Sequence, residues 1–127
     1  MERTLTKILY VEDEPDIQAI AQIALETVGG FTLKIFSNGN DAIKEVSDFS
    51  PDLILLDVMM PEIDGPSTLQ EIRKIPDFAQ TPAIFMTAKV QPDEVTALLK
   101  LGALEVIAKP FDPMELANNI KEAWKKA

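Results

Sequence analysis

The chain has 127 residues, with 21 Asp and Glu against 12 Lys and Arg, a formal charge of -9, and neither cysteine nor histidine. That length fits one domain over 1–127, and 46% apolar residues supply a core and exclude disorder. The acidic balance argues against sequence-independent nucleic-acid binding and against docking on an anionic membrane surface. The missing cysteines and histidines exclude disulfides, thiol nucleophiles, Cys/His zinc sites and imidazole acid/base chemistry, leaving carboxylates, hydroxyls, lysines, backbone and metal.

The first residues, Met1 to Lys7, contain no apolar stretch of the kind a secretory leader needs. No apolar run approaches the roughly 18 residues of a membrane span, so the expectation is a soluble cytoplasmic protein. A first strand is predicted at Ile8-Leu9-Tyr10-Val11. Ile17, Ile20, Ala21, Ala24, Leu25 and Val28 then follow the spacing of one helix face, and Gly29-Gly30 ends that helix. Leu33 to Phe36 form a second strand, and Ala42, Ile43 and Val46 a second helix, capped by Asn40 or Asp41. Leu53 to Leu56 make a third strand. A third helix follows Gly65-Pro66-Ser67 and carries Leu69, Ile72 and Arg73. Pro76 to Pro82 read as an irregular connection into a fourth strand, Ala83 to Met86.

Val95, Leu98 and Leu99 mark a fourth helix, ended by Gly102. Glu105 to Ala108 form the fifth strand. Leu116, Ala117, Ile120 and Trp124 mark a last helix that starts near Asp112-Pro113, with Trp124 partly buried against the sheet. Lys121, Lys125 and Lys126 crowd its C-terminus, where cations suit the helix dipole. Strands one, three and four are apolar throughout, as for strands buried on both faces, whereas strands two and five each carry a charge and are expected to be more exposed. Strict alternation of strands and helices implies an α/β fold, a doubly wound parallel sheet with helices on both faces.

Ligands of such sheets bind beyond the carboxyl ends of the strands. Glu12-Asp13-Glu14 follow the first strand, Asp57 ends the third, Thr87-Ala88 the fourth and Lys109-Pro110 the fifth. If Glu12, Asp13 and Asp57 converge, they repel: two unit charges about 4 Å apart cost on the order of 4 kcal/mol at an effective dielectric near 20. Either their pKa values rise or a cation joins them, and an all-oxygen carboxylate set suits Mg²⁺. The alternative is that Asp13 caps the first helix and Glu12 and Glu14 are solvated. Asp57 is either a turn residue or a carboxylate nucleophile of the aspartyl-phosphate type. A lysine charge and a threonine hydroxyl beside it would complete the neutralisation that phosphoryl transfer requires.

The stretches Leu9-Tyr10-Val11-Glu12-Asp13-Glu14, Asp57-Val58-Met59-Met60-Pro61-Glu62-Ile63-Asp64-Gly65, Met86-Thr87-Ala88, and Gly102-Ala103 through Lys109-Pro110-Phe111 carry a resemblance. In this order and on these strands, the chain resembles the receiver domain of bacterial two-component response regulators over essentially its whole length. The resemblance implies a flavodoxin-like sheet of five strands in order 2-1-3-4-5. It implies that Asp57 accepts a phosphoryl group from a histidine kinase or phosphotransfer protein. It also implies that Glu12, Asp13, Asp57 and the backbone carbonyl of Met59 bind Mg²⁺, and that Thr87 and Lys109 contact the phosphoryl oxygens. Such a domain is a switch with self-catalysed phosphorylation and slow dephosphorylation rather than a turnover enzyme. Its downstream protein target stays open, and it is expected as a monomer or weak dimer.

Val106 departs from the family, which often has Tyr or Phe three residues before the lysine; a valine cannot make the inward ring rotation that relays the signal, and it is expected simply to pack. Met59 and Lys89, two residues beyond Asp57 and Thr87, hold positions that tune phosphoryl lifetime in the family. A stand-alone receiver and a receiver from a longer protein are both open readings.

Three other functions compete. An aspartyl-phosphate phosphatase would often carry a second Asp where Met59 stands. A flavin module would place its phosphate against Glu12-Asp13-Glu14, which repel it. A phosphate-independent pseudo-receiver would not need the acidic pair, Asp57, Thr87 and Lys109. Finally, Glu12, Asp13, Glu14, Asp16, Asp57, Glu62 and Asp64 are 7 of the 21 acids; without them 14 face 12 bases, a balance of -2. Most of the net charge is therefore expected around one rim.

Overall fold

The structure is a computed structural model that describes residues 4–127; Met1 to Arg3, within the stretch read above for a leader, lie outside the described residues. Five parallel strands, β1 (Lys7–Val11), β2 (Thr32–Phe36), β3 (Leu53–Asp57), β4 (Ala83–Thr87) and β5 (Glu105–Ala108), pair in the order β2-β1-β3-β4-β5. The helices are α1 (Pro15–Gln22, continuing as a wider π-helical stretch Ile23–Val28), α2 (Gly39–Phe49), α3 (Gly65–Arg73), α4 (Pro92–Lys100) and α5 (Leu116–Trp124). Among the described residues no helix is long and apolar enough to cross a membrane.

Successive strand residues point to opposite faces, and the two cores follow that alternation. Ile8, Tyr10, Leu53, Leu55, Ile84 and Met86 pack with Ala21, Ala24 and Leu25 of the first helix and Leu116, Ala117 and Ile120 of α5. Leu9, Val11, Ile54, Leu56, Ala83 and Phe85 pack with Ala42 and Val46 of α2, Leu69 and Ile72 of α3, and Leu98 of α4. β3 and β4 are buried at every residue, while the edge strands β2 and β5 are largely half-buried or exposed. This is the division expected from their charged residues. At about 1.5–3 kcal/mol per buried aliphatic side chain, the central strands dominate the favourable side of folding.

Three local expectations are corrected. Ile20, Ile23 and Val28 are exposed, at 43%, 58% and 43%. From Ile23 the first helix widens to π geometry, so the 3.6-residue period that assigned Val28 to its buried face does not hold there, whereas Ile20 lies in the regular part, Pro15–Gln22, whose buried residue is Ala21. The cap of α2 is Asn38, whose Oδ1 accepts from the Asp41 N–H at 2.8 Å; Asn40 and Asp41 lie inside the helix. Leu99 is 40% exposed, so α4 buries only Leu98 fully. The connection after α3 contains a 3₁₀ turn, Pro76–Phe78, that buries Phe78.

The expectation for Trp124 is met, since it packs half-buried against the core on the α1/α5 side. The cations of the last helix have partners: Lys121 lies over the Phe31 ring at 5.4 Å, Lys125 pairs with Glu122 at 3.2 Å and Lys126 with Glu105 at 3.2 Å. On the opposite side of the sheet, the Arg73 guanidinium donates to the carbonyls of Thr81, Leu101 and Gly102, tying the end of α3 to the end of α4. Gly102 is at φ 98°, which favours glycine at this corner; a Cβ there would also press on Arg73 Nη1, the far end of a flexible side chain that can give way.

Candidate metal and phosphoryl site

The two central strands β1 and β3 deliver Glu12 and Asp57 side by side because Val11 and Leu56 are register partners. Alternation then sets their direction. Glu12 continues the face of Ile8 and Tyr10, and Asp57 that of Leu53 and Leu55, all on the α1/α5 side. Lys109 follows Ile107 on the same face, and its N–H donates to the Thr87 carbonyl at 2.9 Å. Three charges from three strands thus meet at one rim. Lys109 Nζ lies 2.9 Å from Glu12 Oε1 and 3.2 Å from Asp57 Oδ1. The Lys109–Pro110 peptide bond is cis.

Carboxylate oxygens of Glu12, Asp13 and Asp57 lie within 4.8 Å of one another. Glu12 is fully buried, Asp57 is 5% exposed and Asp13 is half-buried. Hard oxygen donors at this separation fit a divalent cation such as Mg²⁺, and three carboxylates against one lysine leave a local charge of about -2 for it to neutralise. Burial first, and then the charge of Glu12, pushes Asp57 up to about 6 against the pull of Lys109. Burial alone would lower the Lys109 ammonium, but the hydrogen bonds and charges of Glu12 and Asp57 outweigh it and hold its pKa raised. With its pKa at about 6, Asp57 is mostly ionised at neutral pH although it is almost dry.

The floor of the site is held by backbone. Val58 N–H donates to Met86 O, and Gly65 N–H closes the β3–α3 loop onto Val58 O, each at 3.0 Å. A Cβ on Gly65 would stand 2.4 Å from the Asp57 carbonyl oxygen, so glycine is what lets α3 begin directly beneath the aspartate. Asp64 caps α3, its Oδ1 accepting from Ser67 N–H at 2.8 Å.

The remaining candidates take separate places. Thr87 is buried at 3% at the end of β4, on the face of Ala83 and Phe85 opposite to Asp57, and its hydroxyl accepts from Lys89 N–H at 3.0 Å. The Lys89 side chain is exposed. Met59 is 64% exposed, so its side chain faces solvent rather than being buried with Glu12 and Asp57. Val106 is half-buried against the α2/α3/α4 core, the simple packing expected of it. The expected concentration of seven acids narrows. Glu12, Asp13 and Asp57 converge, whereas Glu14, Asp16, Glu62 and Asp64 are exposed, with Asp64 serving as a helix cap.

Two residues of the site were not singled out from the sequence. The Tyr10 hydroxyl donates to Glu12 Oε1 at 2.9 Å, and Gln18 Nε2 donates to the Glu12 carbonyl at 2.5 Å. Tyr10 sits two residues before Glu12 in a strand and so shares its face, a signal that the period-2 rule makes available.

Residues 8–121 match the family model described as "Response regulator receiver domain". The regulatory protein VanRc of Enterococcus gallinarum is 39% identical over 116 residues, covering 91% of this chain and 48% of that protein. The chain spans about half the length of the curated relatives it matches. Among solved structures, the chemotaxis protein CheY4 of Vibrio cholerae superposes with a TM-score of 0.86 at 23% identity, covering 94% of this chain and 99% of that one. The receiver domain of a signal transduction histidine kinase from Syntrophus aciditrophicus gives 0.81 at 33% identity, covering 96% and 92%. A family match over nearly the whole chain, on a sheet of the same order and with the acidic rim at its strand ends, leads to one conclusion: the chain belongs to the receiver domains of two-component response regulators.

Proposed function

We propose that this receiver is switched by phosphorylation of Asp57. Glu12, Asp13, Asp57 and the main-chain carbonyl of Met59 would hold Mg²⁺, and Lys109 and Thr87 would contact the phosphoryl oxygens. The observation that carries the reading is the buried Asp57 carboxylate within reach of two further carboxylates and of Lys109.

An acidic rim repels a phosphoryl group, and a bound divalent cation would supply the charge that reverses this. Asp57 provides the nucleophilic oxygen. An O–P bond forms as the P–N bond to a phosphohistidine breaks, and the electron pair leaves with the imidazole nitrogen, which is protonated from solvent. Lys109 already spans Glu12 and Asp57, so it can follow the new negative charge without leaving the site. Thr87 would turn its hydroxyl from the Lys89 amide toward the phosphoryl group, which loosens the start of the β4–α4 loop. The phosphodonor would be a sensor histidine kinase or phosphotransfer protein, and the output a changed protein contact.

Incubation with Mg²⁺ and acetyl phosphate followed by intact mass spectrometry tests this. One phosphoryl adduct is expected on the wild type and none in Asp57→Asn or with EDTA. An unmodified wild-type mass with metal and donor in excess would sink the proposal.

A further inference from the structure

Glu12 is fully buried, and both of its carboxylate oxygens are engaged by protein groups. Oε1 accepts from the Tyr10 hydroxyl and from Lys109 Nζ, each at 2.9 Å. Oε2 accepts from the Glu14 N–H at a longer 3.2 Å. A carboxylate oxygen offers two lone-pair sites. Oε1 is thus filled, and Oε2 retains one free direction. Tyr10 is itself fully buried, within the core layer that contains Ala21, Leu25, Leu55 and Met86. A phenylalanine would fill nearly the same volume there without a hydroxyl to desolvate. The hydroxyl is accommodated because it bonds a carboxylate, the stronger, charge-assisted class of hydrogen bond.

We propose that Tyr10 is a positioning residue for the rim, whose hydroxyl locks the Glu12 carboxylate so that Oε1 is committed to Lys109 and Oε2 is presented to the divalent cation. This rests on the reading of the rim as a Mg²⁺-dependent phosphoryl acceptor. The terminal torsion of a glutamate is soft. Without the phenol, Oε1 has one vacant lone pair and the carboxylate is held only by Lys109 and the long Glu14 N–H bond, so it rotates more readily, which mixes the two oxygens between lysine and cation. Partners behind a ligating carboxylate commonly change metal affinity by 10-fold or more when removed.

Tyr10 is the sole tyrosine of the chain, so biosynthetic 3-fluorotyrosine places one ¹⁹F probe at this position. In the full chain, Mg²⁺ titration is expected to shift that resonance, and Glu12→Gln is expected to abolish the shift. In unlabelled protein, Tyr10→Phe is expected to weaken Mg²⁺ binding about 10-fold, followed through the amide resonance of Asp13, and to add nothing further in the Glu12→Gln background. A Tyr10→Phe affinity within twofold of wild type would overturn the inference. So would a ¹⁹F resonance indifferent to Mg²⁺, a readout that holds even if Tyr10→Phe folds poorly. If wild-type protein binds no Mg²⁺, the reading of the rim itself falls. If it binds Mg²⁺ and takes a phosphoryl group while Tyr10→Phe is unchanged, only the role of Tyr10 falls.

Discussion

The rim at the ends of β1 and β3 and the edge formed by α4 and β5 are built on opposite principles. At the rim, charged and polar groups sit where solvent is nearly absent: Glu12, Asp57 and Thr87 are all at 5% exposure or less. Strands buried on both faces hold them, and each has a protein partner. At the edge, Val90, Leu99 and Leu101 are 40–45% exposed, and β5 buries only Ile107 fully. A site that must hold like charges together needs a frame that cannot relax around them. An edge with few buried contacts is one that a small change in free energy can move. The Arg73 clamp on the carbonyls of Thr81, Leu101 and Gly102 pins the C-terminal end of α4, which leaves its N-terminal end, nearest Thr87, as the freer one.

The sharpest way to break this contrast is Lys109→Ala. It removes the cation that faces two buried carboxylates and should cost about 3 kcal/mol at pH 7. Urea unfolding in EDTA checks it, and the cost should shrink near pH 5, where Asp57 takes up a proton. Asp57→Asn should act in the opposite sense. The folded pKa of about 6 lies above the ordinary 3.8, so the native state keeps a proton that the unfolded chain loses. Wild-type stability contributed by this group is present below about pH 4 and is lost as pH rises through 6. The asparagine variant lacks that loss and should be more stable by on the order of 2 kcal/mol at pH 7 and by little at pH 4, measured by urea unfolding across that range without metal.

At the edge, Gly102→Ala should cost about 1 kcal/mol, because it forces a left-handed residue against Arg73. A melting temperature equal to wild type would show the corner to be looser than its geometry. The smallest effect is expected for Leu99→Ser, within about 0.5 kcal/mol. A larger loss would mean that this leucine is packed rather than exposed and would erase the contrast between the two regions.

The legible parts of the fold share a cause. Leu53 to Leu56 and Ala83 to Met86 read as buried strands because nothing in them tolerates water, and strand order followed from a resemblance carried by short motifs at the strand ends. The residues that misled were those whose setting depends on neighbours. Val28 matched a regular helix period that a π-helical stretch interrupts. Asn40 or Asp41 reads as the cap of the second helix, but the side chain that accepts from the Asp41 N–H is that of Asn38.

Composition and order alone determined the chemistry open to this protein: without histidine or cysteine it had to run on carboxylates and a lysine, and Glu12, Asp13, Asp57 and Lys109 were named by where their strands end. Only the tertiary structure decided which of the acids converge, which cap or face water, and that Tyr10 reaches Glu12 from within the core. The physical reason is that spacing along a chain states which face a residue occupies, while the distance between charges depends on the register of neighbouring strands, which no single strand encodes.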